Sequence, residues 1–493
     1  MPAADVEETA VLKKCLVLLA KMSGRLAQID RAQFPTDESE AARGLLALGI
    51  DNLRTASAQF KPSPYALYRQ LLVIQQLLDD VESSSIDYIA WPVVSYINEI
   101  WSKLFAGKPH QVFFTRWAEY NYGIYNFTEA LGRALEGLIP SGSLAVPADT
   151  AIYCLRLASI EVDNIPLYAN IGHELGHVLF HLRSKEVTAI WGRYSESLAG
   201  LILAKLTDNA KQADLFALPT RLQKIRMILD SLVEELTADM VGTLLMGPSF
   251  FLSLQEVSWS STTRDVWTAR MFVKPGFASA YPGFNFRLGL VSSTAGVQEA
   301  FKDVEREYAR LDPSMRMGFP DLGGTSSWAD GNDRIEVMPE SDVDQRVLQR
   351  VLNECLPEAK KAFEGFAREV LELLAGDVGL PEASAEVVSR NIAQLLVRLA
   401  HGIPPNIVPS NAPGKELLGI PAEFSDILQA ASLYRMSLLA GPSFKADESG
   451  ARKLSEIEGL VRKGLEVSYI QRTYPPRDAA EGSGDGSSEL PGD

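Results

Sequence analysis

The chain has 493 residues, room for two or three domains and a sizeable core. Its 46% hydrophobic and 22% charged residues match a globular protein and exclude a disordered or fibrous one. With 63 acidic against 47 basic side chains the net charge is −16, and no dense basic stripe offsets it, so nucleic acid is excluded as an expected partner.

Along the chain, "EETAVLKKCLVLLAKMSGRLAQI" and "SPYALYRQLLVIQQLLDDVESS" repeat apolar residues at helical spacing. No stretch approaches about 18 uninterrupted apolar residues, so no membrane insertion is expected. The first residues carry acids where a signal peptide would be basic. Cys15, Cys154 and Cys355 are odd in number and widely spaced, which suggests neither disulfides nor a cysteine metal site. Together these features imply a reducing compartment, most simply the cytoplasm.

From "HQVFFTRWAEYNYGIYNF" onward aromatic and β-branched residues alternate, and "SLAVPADTAIYCLRLASIEVDN" reads as one or two strands running into a helix. "AIYCLRLAS" fits an edge strand that pairs with an extended peptide, or equally an interior strand. Asn164 is placed to cap the next helix, with Pro166 in its first turn. That helix is expected over 166–182, followed by helices over about 187–206 and 220–246, the last stopped by Gly247-Pro248. Residues 310–345, rich in Gly, Pro, Ser and Asp, read as a long loop, either a lid or a passive linker. Amphipathic helices return over 343–474, and "RDAAEGSGDGSSELPGD" lacks apolar periodicity and is expected to be disordered.

The expected fold class is therefore α+β and predominantly helical. Its parts are a helical N-terminal region (1–105), a catalytic domain (106–305), a loop or lid (306–342), a helical C-terminal region (343–475) and a tail (476–493).

Three of the five histidines fall in "NIGHELGHVLFH". His173-Glu174-Leu175-Gly176-His177 is an H-E-x-x-H motif, whose histidines lie one turn apart on one helical face and can share a metal. Glu174 beside them is placed to take a proton from a water at the metal and later pass it to a leaving group. Zinc suits such a site because it tolerates an open fourth position. His181 is a poor third ligand, lying about 80° round the helix and some 12 Å further along it. The pattern H-E-x-x-H-x-x-G-x-x-H does not apply, because Phe180 and Arg183 stand at its Gly and third His.

The third ligand is instead expected in "DSLVEELTADMVGTLLMGP". Glu235 and Asp239, four residues apart, share a face: Glu235 would ligate and Asp239 would accept a hydrogen bond from the outer nitrogen of a zinc-binding His. Ala238 and Gly242 near that face would allow close packing. Glu234 is the weaker ligand candidate, since its own fourth neighbour is Ala238.

H-E-x-x-H followed by this E-x-x-x-D helix resembles the gluzincin zinc metallopeptidases. "SAYPGFNFRLGLV" narrows the resemblance to the HtpX-type zinc endopeptidases, which carry His-Pro followed by Arg at the spacing of Tyr281, Pro282 and Arg287. Tyr281 departs from that pattern, although a Tyr hydroxyl also donates to an oxyanion. The resemblance covers about 150–290 and leaves both helical flanks unexplained. It implies a zincin-like core, zinc held by His173, His177 and Glu235, and peptide-bond hydrolysis with Glu174 as base then acid. Asp239 would orient a ligand His, and Tyr281 with Arg287 would stabilise the tetrahedral intermediate. The Gly-x-Met-Glu-Asn motif of zinc aminopeptidases is missing, which favours an endopeptidase.

The expected partner is a protein or peptide substrate. One form of this reading is a regulatory or defence-associated protease that cuts a single partner recognised by the helical flanks. The alternative is a non-catalytic scaffold stapled by zinc. His110 and His401, both beside prolines, are expected to be packing or surface residues unless the fold brings them to the site.

Overall fold

The computed structural model describes residues 3–29, 34, 36–59, 63–84, 90–108, 110–117, 122–139, 151–159, 164–208, 216–261, 263–271, 278–313, 333–338, 343–378, 384–410, 419–442 and 444–474. The fold is predominantly helical with small sheets, and no described helix is long and apolar enough to cross a membrane. Two compact units are present: Met1–Ala295 with Gly324–Leu380, and Gly296–Gly323 with Pro381–Asp493.

The first unit begins with α1 (Ala3–Gln28), α2 (Asp37–Gln59), α3 (Pro64–Glu82) and α4 (Trp91–Leu104). The α3 helix starts on Pro64 and buries Leu67, Leu71, Ile74, Leu78 and Val81, a stripe at three- and four-residue spacing. These side chains share one apolar core with Cys15, Leu19 and Leu46, and with Phe113, Phe127 and Cys154 from the first sheet and its helix. N-terminal helices and sheet therefore fold around a common core.

That sheet has the order β1 (Gln111–Trp117), β3 (Ile152–Ala158), β2 (Gly123–Asn126), with β1–β3 parallel and β2–β3 antiparallel. The edge-strand alternative for "AIYCLRLAS" is overturned: β3 is central, and both of its backbone edges are paired. Five of its seven residues are buried, and strand order follows from the long-range pairing, which the local sequence does not set. Helix α5 (Phe127–Leu135) follows β2 and is capped by Asn126, whose side chain accepts from the Glu129 backbone N–H at 3.0 Å.

Next come a 3-10 turn (Ile165–Asn170), α6 (Ile171–Leu182), α7 (Ser184–Asp208), α8 (Leu218–Met246) and α9 (Pro248–Ser258). Gly247 ends α8 at φ 54°, a conformation that favours glycine. The second sheet has the order β5 (Ala278–Tyr281), β4 (Val266–Met271), β6 (Arg334–Met338). Its strand β6 lies inside the stretch read as a loop, so that reading is corrected there; residues 314–332 of the same stretch lie outside the described residues. Five residues among Gly, Asp and Pro carry too little periodicity to announce a strand. What holds β6 is parallel pairing with β4 on one side and helix α12 (Val343–Val378) on the other. From α12, Asn353 accepts from the Ile335 N–H and donates to its carbonyl, both at 2.8 Å, while Gln349 accepts from the Val337 N–H at 2.9 Å. The α12 helix also packs on α7, where Trp191 stacks on Phe363 at 4.9 Å. Helix α10 (Phe284–Thr294) is the remaining element of this unit among the described residues.

Among the described residues, the second unit holds α11 (Val297–Leu311), α13 (Ala385–Ala400), α14 (Phe424–Ala440) and α15 (Glu448–Thr473), with a short hairpin of β7 (Ile407–Pro409) and β8 (Gly419–Pro421). Ser384 caps α13 and Asp447 caps α15, each through its side-chain oxygen. The expected disordered tail, 476–493, lies outside the described residues.

Candidate metal centre

The site is built where α6 crosses α8 antiparallel. The helix expected from 166 starts instead at Ile171, because Leu167 N–H bonds to the Asn164 carbonyl in a tighter 3-10 turn. Asn164 does not cap with its side chain; its amide donates to Glu256 Oε1 at 3.0 Å. Small residues set the crossing distance. A Cβ on Gly176 would stand 2.5 Å from Ala238 Cα, and one on Gly172 would stand 3.0 Å from Gly242 Cα. Backbone thus meets backbone at Gly176–Ala238 and Gly172–Gly242, and the larger side chains between those contacts converge.

Glu235 reaches both histidines, with Oε2 3.5 Å from His173 Nε2 and Oε1 4.0 Å from His177 Nε2. The two rings lie 4.9 Å apart and nearly perpendicular, at 88°. One ligand atom from each of the three residues lies within 4.8 Å of the others. A tetrahedral zinc with bonds of about 2.0–2.1 Å spaces its ligand atoms by about 3.4 Å. The nitrogen–oxygen separations, 3.5 and 4.0 Å, exceed that value by little enough for small rotamer shifts to close the gap. Two imidazole nitrogens and a carboxylate are also the donor chemistry zinc takes, so the residues fit the ion.

Each imidazole is held from behind. His173 Nδ1 lies 2.9 Å from Asp239 Oδ1, and Asp239 is fully buried under two bonds from Arg287, Nε to Oδ2 at 2.8 Å and Nη2 to Oδ1 at 2.6 Å. Phe250, just past the Gly247 turn, stacks on the His173 ring at 6.3 Å. His177 Nδ1 lies 3.1 Å from Glu234 Oε1, a contact the sequence reading did not anticipate. His181 stands outside the ligand set, its side chain 68% exposed and its Nε2 3.6 Å from that same Glu234 oxygen.

The electrostatics favour a positive charge between the carboxylates. Burial lowers the His173 pKa, but hydrogen bonds to Asp239 and Glu235 outweigh it and carry it to about 10. Burial opposes protonation of His177 too, and Glu234 outweighs it in the same direction. Burial would raise both Glu235 and Asp239; His173 holds Glu235 below the usual carboxylate range, and Arg287 with His173 holds Asp239 down at about 2.

Glu174 lies in the first turn of α6, buried, and among the described residues its side chain has no hydrogen-bond partner. Tyr281 ends the edge strand β5, which is tied to α8 by the Ala280 N–H donating to Ser231 Oγ at 2.9 Å. Its side chain is about half exposed (49% for the residue); burial of the rest raises the hydroxyl pKa, and the Glu235 and Glu174 charges add to that. Arg287 is brought to Asp239 and His173, where its guanidinium is engaged. His110 packs instead against Phe105 and Tyr153, and His401 pairs with Asp312 at 3.3 Å in the second unit, so neither joins the ligand group.

Comparison of the chain with protein-family models, with curated proteins and with solved structures gave no match.

Proposed function

We propose that this chain is a zinc metallopeptidase of gluzincin type, hydrolysing a protein or peptide substrate at His173, His177 and Glu235, with the first sheet, α6 and α8 as a zincin-like core. The observation that carries the reading is a buried Glu174 carboxylate, without a hydrogen-bond partner among the described residues, one residue from a three-donor centre. A purely structural site has no use for such a group. Among the described residues, no fourth His, Cys, Asp or Glu joins the cluster to close it.

Zinc bound there would supply Lewis-acid activation of water and of the scissile carbonyl. Glu174 takes the proton of the attacking water and returns it to the leaving nitrogen. Glu235 offsets charge at the centre, and Asp239 fixes the His173 ring so that Nε2 faces inward. Arg287 works through Asp239, whose position it sets. Tyr281, half exposed at the end of β5, would offer its hydroxyl to the developing oxyanion.

Glu174→Gln tests this reading. Zinc is retained, and cleavage of a proteome-derived peptide library, present in the wild type, is lost. Undiminished cleavage would overturn the assignment of Glu174. A structural staple would show equal zinc in both proteins and cleavage in neither.

A further inference from the structure

Consecutive residues on a helix point about 100° apart, so Glu234 and Glu235 cannot serve the same side of one metal. Their partners on α6 differ accordingly. Glu235 lies between the inward nitrogens of His173 and His177, whereas Glu234 contacts the outward nitrogen of His177. The antiparallel crossing explains the pairing: with Gly172 on Gly242 and Gly176 on Ala238, the next turn of α6 meets the 234–235 turn of α8. His173 then falls opposite Asp239, and His177 falls opposite Glu234.

We infer that Glu234 is a positioning residue for the metal centre, holding His177 as Asp239 holds His173. This inference rests on the zinc reading above and extends it to a residue that reading does not use. By accepting the Nδ1–H of His177, Glu234 fixes the tautomer that leaves Nε2 unprotonated and facing the centre. It also raises the basicity of that nitrogen. The two anchors are unequal. Asp239 is sealed and locked by Arg287, while the Glu234 side chain keeps 32% of its exposure and, among the described residues, shares its oxygen only with the exposed His181. Glu234 is therefore the anchor that can be removed without stranding a buried charge. That makes it the cleaner one to test.

The experiment is chelator-competition titration of zinc into full-length wild type, Glu234→Ala and Glu234→Gln. It is paired with visible absorption spectra of the cobalt-substituted proteins and with melting of the metal-free forms. The expected result is zinc affinity weaker by about 10- to 100-fold in Glu234→Ala. Glu234→Gln should lie between, because its amide oxygen still accepts the Nδ1–H. The cobalt bands should shift in Glu234→Ala as the ring loses its fixed orientation, with metal-free melting unchanged. Wild-type affinity together with unchanged cobalt bands in Glu234→Ala would overturn this inference alone. Absence of zinc binding in the wild type would overturn it together with the reading on which it rests.

Discussion

Three carboxylates on α8 approach two imidazoles on α6, and the neighbours of each decide what it does. Glu235 faces both inward nitrogens, Asp239 sits behind His173 under Arg287, and Glu234 sits behind His177. Asp239→Asn removes the charge that compensates a buried guanidinium, so a loss of about 3–5 kcal/mol is expected in denaturant unfolding, along with weaker zinc binding. Stability within about 0.5 kcal/mol of wild type would contradict the buried-pair account. Glu174→Gln leaves the ligands in place, and the rate of cleavage should fall by roughly a hundred- to ten-thousand-fold. His173 with His177, and Glu235 with Asp239, were each legible as pairs because residues four apart share a helical face, a purely local rule. The two pairs were joined only by the expectation of a third ligand for zinc. Glu234 was not legible, since its work depends on the register in which one helix crosses another. Nothing in "VEELTAD" sets that register by itself. Arg287 was readable only as part of a resemblance, and its two bonds to Asp239 follow from packing across 48 positions of chain.

At the scale of elements, the site depends on how closely α6 and α8 approach. Gly176→Ala would drive a methyl group into the Ala238 backbone, 2.5 Å away, where no flexible side chain can yield. An overpacking cost of about 1–3 kcal/mol is expected, with the ligand atoms spread and zinc affinity lowered. Gly192→Ala in α7 meets nothing within 4 Å and serves as the control; it should stabilise by roughly 0.5–1 kcal/mol, the ordinary gain in a helix interior. Equal thermal shifts for the two variants would argue against the close crossing. Helices α6 to α8 could be read from periodicity and the Gly247-Pro248 stop, their ends moving by a few residues. The strand β6 could not, because its Asn353 and Gln349 partners lie on a later helix. The central place of β3 was equally hidden, for strand order is a long-range property.

Over the whole molecule, the predominantly helical α+β character was legible from composition and periodicity, but the division into two compact units was not. The first unit takes α12 from the region read as C-terminal, and nothing in α12's own amphipathic pattern names its partner. The second unit carries its own titration. Asp426 is buried in α14, and burial, reinforced by Glu423, raises its pKa to about 7. A carboxyl raised in the folded state stabilises it fully at low pH, and this contribution fades as pH climbs from the unfolded value near 4 through about 7. Asp426→Asn should therefore melt closer to wild type at pH 5 than at pH 8, where the variant is the more stable. The same difference at both pH values would count against a raised carboxyl. In the first unit, zinc content by mass spectrometry is the most direct test of a metal centre at His173, His177 and Glu235, on wild type and Glu235→Ala never exposed to chelator. One zinc per chain in the wild type, lost or sharply reduced in the variant, is the expected result. No zinc in either protein would mean that "HELGH" marks a helix crossing and nothing more.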